Sequence, residues 1–308
     1  MKKHKLLHTM AVAAILAAAF SLGMLVGCSK QPKTFDAAAI EEILTGDQAV
    51  ISAKSMPIPD GFDQEMMLYS IKYQSGKCEV FGYICFPSQT LSENTPSIVY
   101  NRGGNRNYGI LTTEEVCRFA QQGYITLGSQ YRGTIGGTGT EEFGGSDVDD
   151  VIALIDMALR FPFSDQSGVY MVGYSRGGMM TYLACARDDR IKAASVGAGM
   201  SDCFIMYETR DEGMKEVFHQ LVGGGPDTHY DEFVARSATY WPEKIDEPVL
   251  ICQGTNDRKV VPEQSISMHE KLEEAGKETE LILYTGATHA IYETTFVEDT
   301  VEWFKAHP

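Results

Sequence analysis

The alternation of short apolar strands with amphipathic helices constrains the fold of this chain more than any other sequence feature. Residues 169–172 (VYMV) and 248–253 (PVLICQ) are apolar runs of strand length. Residues 147–159 carry apolar side chains at helical spacing, on one face of a predicted helix. Strands and helices that alternate in this way are typical of a mostly parallel sheet covered on both faces. The pattern therefore predicts a doubly wound α/β fold with right-handed crossovers.

The same criteria predict the other elements. An antiparallel hairpin of MLYSIKYQ and CEVFGYICF, joined at Ser75-Gly76-Lys77, precedes the parallel part. Residues 200–245 are the least regular stretch and the candidate for a small cap over the carboxyl edge of the sheet. The predicted strands of the parallel part are 97–100, 124–128, 169–172, 193–197, 248–253 and 280–284. The predicted helices are 38–44, 113–122, 147–159, 176–186, 264–275 and 290–305.

The N-terminus has the layout of a secretory signal peptide. Basic residues precede an apolar run over residues 11–26, and Leu25-Val26-Gly27-Cys28 resembles the lipobox of bacterial lipoproteins. This resemblance implies removal of residues 1–27 and attachment of diacylglycerol to Cys28, which would hold the protein on the outer face of a bacterial membrane. The alternative is an ordinary signal peptide with a chance cysteine. A spanning helix is disfavoured because the run is shorter than the roughly 20 apolar residues required.

Composition excludes several classes of function. The chain has 26 Lys and Arg against 42 Asp and Glu residues, a formal net charge of −16 at pH 7. Such a surface repels nucleic acid, so no nucleic-acid partner is expected. The cysteines other than Cys28 form no CxxC pair and have no zinc spacing, so we predict buried thiols, with disulfides left open. No motif indicates a metal or an organic cofactor, and the oligomeric state stays open.

One serine lies on a predicted strand-to-helix turn. Gly173-Tyr174-Ser175-Arg176-Gly177 matches G-x-S-x-G, the nucleophile elbow of the α/β-hydrolase fold. Glycines remove the side chains that would collide in so sharp a turn. The N-terminus of the following helix directs free N–H groups at the same spot. Ser175 is therefore the candidate nucleophile, and the backbone N–H of Arg176 is a candidate oxyanion donor.

A serine nucleophile requires a base and an orienting acid, which follow it along the chain in this fold. His289 comes after the strand that ends at Tyr284, and Asp257 comes after the strand at 248–253. Both are therefore predicted at the carboxyl edge of the sheet. Asp202 is the second candidate for the acid, whereas Asp246 precedes its strand. The other downstream histidines are His219, His229, His269 and His307.

The loop after residues 97–100 should supply the second oxyanion donor. It reads Asn101-Arg102-Gly103-Gly104, and either glycine lets the backbone approach a carbonyl oxygen. Arg102 or Arg106 is the alternative binder of a substrate carboxylate. Both are otherwise expected as surface arginines in salt bridges.

These motifs together resemble the catalytic domain of the prolyl oligopeptidase family, serine peptidases with the α/β-hydrolase fold. The resemblance covers most of residues 66–306 and implies Ser175 as nucleophile, Asp257 as acid and His289 as base. Its parts are Tyr131-Arg132-Gly133, Gly144-Gly145-Ser146-Asp147-Val148-Asp149-Asp150, the elbow through Gly178, Gly254-Thr255-Asn256-Asp257 with Val261-Pro262, and Thr288-His289. Asp147 and Asp150 are expected to be structural because acids near a helix start complement its dipole.

Three departures from the family pattern limit the prediction. Arg102-Gly103-Gly104-Asn105 replaces the usual His-Gly-Gly-Pro or Tyr-Gly-Gly, and Gly286-Ala287-Thr288 leads to the histidine. Residues 28–65, expected as a tether and N-terminal segment before a catalytic domain at 66–308, are too few for a blade of the family's β-propeller. We therefore predict a serine hydrolase, first a peptidase for small peptides and second an esterase for small esters. A catalytically dead binding lipoprotein is the third alternative.

Overall fold

The fold is known from a computed structural model, which describes residues 33–308. The predicted signal peptide and Cys28 lie outside the described residues. The strands are β1 (Thr34–Asp36), β2 (Val50–Met56), β3 (Met67–Ser75), β4 (Cys78–Phe86), β5 (Thr90–Ser92), β6 (Ser97–Asn101), β7 (Ile125–Ser129), β8 (Val169–Tyr174), β9 (Ile191–Gly197), β10 (Val249–Gly254) and β11 (Thr279–Tyr284). The helices are α1 (Ala37–Gly46), α2 (Thr113–Ala120), α3 (Val148–Arg160), α4 (Arg176–Cys185), α5 (Cys203–Thr209), α6 (Glu212–Leu221), α7 (Tyr230–Ala235), α8 (Pro262–Glu274) and α9 (Phe296–Ala306).

Nine of these strands form one sheet in the order β11-β10-β9-β8-β6-β7-β4-β3-β2. The six strands from β11 to β7 in this order are parallel, and β4, β3 and β2 extend the sheet in antiparallel fashion. The predicted doubly wound sheet and N-terminal hairpin are therefore confirmed. β2 lies on the N-terminal side of the domain boundary predicted at residue 66. It was not predicted because most of its side chains are at least partly exposed and carry no apolar alternation.

Burial on both faces explains why the central strands read as continuous apolar runs. Every residue of β6 and β7 is buried. Along β8, Met171 joins the apolar cluster that contains α3 and α4, whereas Tyr170 and Val172 join the cluster with α2 and α9. The alternation follows from the two-residue repeat of a strand, and it places helices against both faces. This packing holds β6, β8, β10 and β11 with their carboxyl ends at one edge.

Three segments differ from the predictions. The segment expected as a tether at 28–65 contains β1, which pairs with β5, and Asp36 caps α1 by accepting from the backbone N–H of Ala39. Residues 203–235 form three helices, α5 to α7, and are named here the helical segment; its service as a cap stays a prediction. The helix predicted at 290–305 is interrupted, because a short 3₁₀ turn at Ile291–Glu293 comes before α9. The Thr294 hydroxyl ends this turn by donating to the carbonyl of Ile291.

Two further findings concern the described residues only. Their cysteines are free thiols, all buried except the partly exposed Cys78, and the sulfurs of Cys85 and Cys117 are 3.6 Å apart. Within residues 33–308, no helix is both long enough and apolar enough to cross a membrane.

Candidate active site

Ser175 lies on the sharp turn between β8 and α4, with φ of 57° and ψ of −123°. A residue with a side chain rarely adopts this conformation, which costs of order 1–3 kcal/mol. A Cβ at Gly173 would overlap the carbonyl oxygen of Gly177, and a Cβ at Gly177 would overlap that of Asn101. Close backbone approach therefore requires glycine at both positions of the motif, and the turn presents the Ser175 hydroxyl to a cleft.

Two hydrogen bonds connect Ser175 to a histidine and an aspartate. Nε2 of His289 lies 3.1 Å from Oγ of Ser175, and Nδ1 of His289 lies 2.7 Å from Oδ2 of Asp257. Oδ1 of Asp257 accepts from the backbone N–H groups of Lys259 at 2.8 Å and Val260 at 3.0 Å. Burial opposes ionisation of Asp257, but its bonds to His289 and to the backbone prevail and lower the pKa of the carboxyl. A buried carboxylate therefore orients the imidazole, with Nε2 directed at the serine.

Tyr174 contacts His289 through both its hydroxyl group and its ring. Its hydroxyl donates to the backbone carbonyl of His289 at 2.6 Å, and the two rings have centroids 5.0 Å apart. Its ring also contacts that of Tyr292 at 5.2 Å. The residue between Gly173 and Ser175 in the elbow thus fixes the position of His289. The G-x-S-x-G motif accepts any residue at the position of Tyr174, so the motif could not predict this contact with His289.

The predicted oxyanion donors border the serine hydroxyl. A Cβ added at Gly103 would lie 2.9 Å from Cβ and 3.4 Å from Oγ of Ser175, so only a residue without a side chain fits there. Gly104 has φ of 64°, and a Cβ there would overlap the carbonyl oxygen of Tyr108. Arg176 is the first residue of α4, where the backbone N–H has no intrahelical acceptor. The glycine loop and the start of α4 therefore both adjoin the turn at Ser175.

The prediction that Arg102 is a surface arginine in a salt bridge is wrong. It is fully buried, and its five N–H groups donate to four backbone carbonyls at 2.8 to 3.2 Å. The acceptors are the carbonyls of Gly103, Arg106, Gly109 and Gln130, the last accepting twice. Burial, together with a neighbouring arginine, lowers the pKa of Arg102 to about 10. Arg102 therefore fixes the shape of the glycine loop.

Arg106 does not point into the cleft either. Its backbone N–H donates to Glu141 at 2.7 Å, and its side chain donates to the amide oxygen of Gln220 on α6 at 2.5 Å. Neither Arg102 nor Arg106 is among the residues that line the cleft. The alternative in which one of them binds a substrate carboxylate is therefore wrong for this arrangement.

The side chain of Arg176 is buried beneath the elbow. It forms ion pairs with Glu141 and Asp147, and its Nη1 donates to the carbonyl of Gly104 at 3.2 Å. Its guanidinium also lies over the ring of Tyr131, at 4.8 Å from the centroid. Burial alone would lower the pKa of Arg176, but the two acids prevail and raise it. The guanidinium therefore stays charged and rigidly held.

Asp147 and Asp150 are structural, as predicted from their place near a helix start, but each also binds a buried arginine. Asp147 pairs with Arg176, as stated above, and accepts from the backbone N–H of Gly144 at 3.0 Å. Asp150 binds the guanidinium of Arg132 through Nη2 at 2.8 Å and Nε at 3.1 Å. The acids thus anchor two buried arginines at the start of α3. The sequence indicated which residues matter here but not their partners.

The alternative acids and bases lie away from Ser175. Asp202 caps α5 by accepting from the N–H groups of Phe204 and Ile205 at 2.8 and 3.1 Å. Asp246 pairs with Lys277 at 2.5 Å. The remaining histidines bond elsewhere: His219 to Tyr207, His229 to Thr228, His269 to Thr279 and His307 to Glu278. Of the histidines in the described part of the chain, only His289 is hydrogen-bonded to Ser175.

Ser175 and His289 line a cleft of about 850 Å³. One part of its wall is apolar and contains Met200, Met206, Met214, Val217 and Val260. Tyr174 also lines the cleft, whereas Tyr131 and Trp241 are buried and do not. The methionines were not predicted, although three lie close together between residues 200 and 214. Residues 33–308 contain no group of His, Cys, Asp or Glu that could hold a metal ion.

Comparison with known proteins agrees with this geometry. The model of the prolyl oligopeptidase family matches residues 112–307. The uncharacterized peptidase YtmA of Bacillus subtilis is 29% identical over 241 residues, which are 78% of this chain and 91% of that protein.

Two solved structures share the fold. The acylaminoacyl peptidase of Pyrococcus horikoshii has a TM-score of 0.67 and 22% identity over 79% of this chain, but only 42% of that chain is covered. The acetyl xylan esterase from Paenibacillus sp. R4 has a TM-score of 0.65 and 16% identity over 88% of this chain and 93% of its own. The family model spans well over half of the chain, so this protein is a serine hydrolase that belongs to the prolyl oligopeptidase family.

Proposed function

We propose that Ser175, His289 and Asp257 are the nucleophile, base and orienting acid of a peptidase. The observation that carries this proposal is the pair of hydrogen bonds from Asp257 through His289 to Ser175, at 2.7 and 3.1 Å. In this mechanism, Oγ of Ser175 attacks the substrate carbonyl carbon while Nε2 of His289 takes the hydroxyl proton. The C–N bond then breaks, and His289 gives that proton to the departing amine. Water cleaves the acyl-serine ester by the same route and restores Ser175.

The negative charge that forms on the carbonyl oxygen is held by backbone N–H groups. The donors that we propose are those of Arg176 and of Gly103 or Gly104. The free N–H at the start of α4 and the contact of Gly103 with the serine side chain support this assignment. Each such donor, fixed before the reaction, lowers the barrier by about 3–4 kcal/mol.

We propose that the substrates are small peptides with an apolar residue on the acyl side of the scissile bond. The apolar wall of methionines and valines supports this, because methionine adapts to side chains of different shape. The names of the relatives agree, since YtmA is called a peptidase and the Pyrococcus protein an acylaminoacyl peptidase. Hydrolysis of small esters is the second candidate. It needs the same residues, and the chain spans most of the length of an acetyl xylan esterase.

The test compares two leaving groups on the full-length chain. We expect hydrolysis of aminoacyl p-nitroanilides with apolar residues, and loss of nearly all turnover in Ser175→Ala. His269→Ala, a change to a histidine that bonds to Thr279 instead, is the matched control for His289→Ala and should leave turnover unchanged. Cleavage of p-nitrophenyl esters but of no anilide would favour the esterase. Turnover that survives Ser175→Ala would refute the mechanism.

We also propose that the protein is exported and anchored through a lipid on Cys28. The lipobox-like Leu25-Val26-Gly27-Cys28 after a basic and apolar N-terminus supports this. Mass spectrometry of the mature N-terminal peptide tests it: a diacylglyceryl group on Cys28 is expected, and Cys28→Ala should release the protein from membranes. An unmodified Cys28 in a membrane-free protein would contradict the proposal.

A further inference from the structure

Glu115 is an acidic residue in the same cleft as Ser175 and His289. It lies in the first turn of α2, and its side chain is half-buried. Oε2 accepts from the backbone N–H of Thr112 at 2.8 Å, which completes a capping box. Oε1 accepts from the hydroxyl of Tyr100 at 3.0 Å. These two bonds use half of the acceptor positions of the carboxylate, so it can accept further hydrogen bonds.

The charge of Glu115 has no close counter-ion. In the part of the chain that the structure describes, no lysine, arginine or histidine nitrogen forms an ion pair with it within 4.0 Å. Arg102 acts on it only from farther away, and burial prevails and raises the pKa of Glu115. The carboxylate is hydrogen-bonded but has no counter-ion, so a cation on a ligand in the cleft would gain from pairing with it.

A continuous set of contacts places Glu115 on the side of the histidine. The hydroxyl of Tyr174 bonds to the backbone of His289, and its ring contacts Tyr292. The hydroxyls of Tyr292 and Tyr100 are 2.7 Å apart, and Tyr100 donates to Glu115. In acyl transfer, the histidine delivers its proton to the leaving group, which therefore lies on the histidine side of the nucleophile. The apolar wall, which belongs largely to the helical segment, is left for the acyl side.

We propose that Glu115 binds a positive charge on the leaving-group side of the scissile bond, so that the enzyme prefers peptides with lysine or arginine directly after that bond. This proposal rests on the proposed hydrolytic function. A capping box explains why an acid stands at this position of α2, but it does not require that the acid face the cleft beside the histidine. The strongly negative net charge adds a general attraction for cationic peptides. Glu115 would add a preference for the cationic residue at one position, directly after the scissile bond.

The test uses Glu115→Gln, because glutamine keeps the size of the side chain and can complete the capping box while losing the charge. The matched control is Glu114→Gln, its exposed neighbour, which does not line the cleft. Two quenched fluorescent peptides that differ only in lysine or glutamine directly after the scissile bond are the substrates. We expect kcat/KM of the wild type to favour lysine about tenfold, as one well-formed ion pair would. Glu115→Gln should abolish this ratio and Glu114→Gln should keep it.

A second measurement separates this proposal from the question of peptide cleavage. Lysine amide, a mimic of the leaving group, should inhibit Ser175-dependent hydrolysis of a p-nitrophenyl ester more strongly than glutamine amide does. Glu115→Gln should remove the difference. If no peptide is cleaved but this difference is found, the peptidase assignment fails and the cation site stands. Equal inhibition by the two amides, or an equal loss on both peptides in Glu115→Gln, would overturn the role of Glu115.

Discussion

Arg102→Lys is the substitution that best tests how the glycine loop is held. The guanidinium of Arg102 reaches four backbone carbonyls, three of them in the loop, at Gly103, Arg106 and Gly109. Lysine keeps the charge and much of the stem but has a single nitrogen with three N–H groups. Lysine therefore loses at least two of the five hydrogen bonds, because one nitrogen cannot reach the acceptors that Nε, Nη1 and Nη2 of Arg102 bind.

The cost follows from the number of bonds lost. A hydrogen bond to a charged group contributes roughly 1.5–3 kcal/mol, so two lost bonds destabilise the fold by about 3–6 kcal/mol. A domain whose stability lies above the low end of the ordinary range of about 5–15 kcal/mol stays folded after this change. Activity should fall further than stability suggests, because Gly103 adjoins Ser175 and a donor displaced by about 1 Å costs roughly 100-fold in rate.

The assay measures urea denaturation and steady-state kinetics on the same preparation. We expect a lower denaturation midpoint and a kcat about 100-fold lower, with KM changed little because the lost interaction is made with the transition state. Arg187→Lys is the control, since Arg187 is exposed and its ion pair with Asp149 is worth about 0–1 kcal/mol. A kcat within a few-fold of wild type at a clearly lower midpoint would refute the link between Arg102 and the oxyanion site.

Two further substitutions address the histidine and the acid. Tyr174→Phe removes the hydroxyl that donates to His289 at 2.6 Å but keeps the ring, so kcat should fall about tenfold with the urea midpoint shifted by about 1 kcal/mol or less; an unchanged kcat would show that the ring contact alone holds the loop. Because the pKa of Asp257 is lowered in the folded protein, its stabilisation is present above the ordinary pKa of 3.8 and lost as the pH falls through the folded value. Between pH 6 and pH 3 the wild type should therefore lose more stability than Asp257→Asn in urea denaturation, and equal losses would contradict the assigned cause.

The sequence could predict which candidate site residues follow strand ends, but it could predict few of the contacts that fix the surrounding loops. Ser175, Asp257 and His289 each come after an apolar run, so the parallel sheet brings them to one edge, and the structure joins them by two hydrogen bonds. Their catalytic roles stay predictions. Arg102 could not be predicted, because its partner carbonyl at Gln130 belongs to a different strand end, 28 residues away. A motif records which residue is present, whereas burial depends on the neighbours that the fold supplies.

The two buried arginines would also keep the two proposed oxyanion donors in register. Arg176 would offer its backbone N–H to the oxyanion, while its side chain donates to the carbonyl of Gly104 on the opposite loop. Arg102 binds carbonyls of the same loop, and both guanidinium groups lie over the ring of Tyr131, at 5.0 and 4.8 Å from its centroid. Asp147 and Glu141 fix Arg176 in turn. A shift of the elbow therefore also moves the loop, because one residue contacts both, and the distance between the donors is preserved.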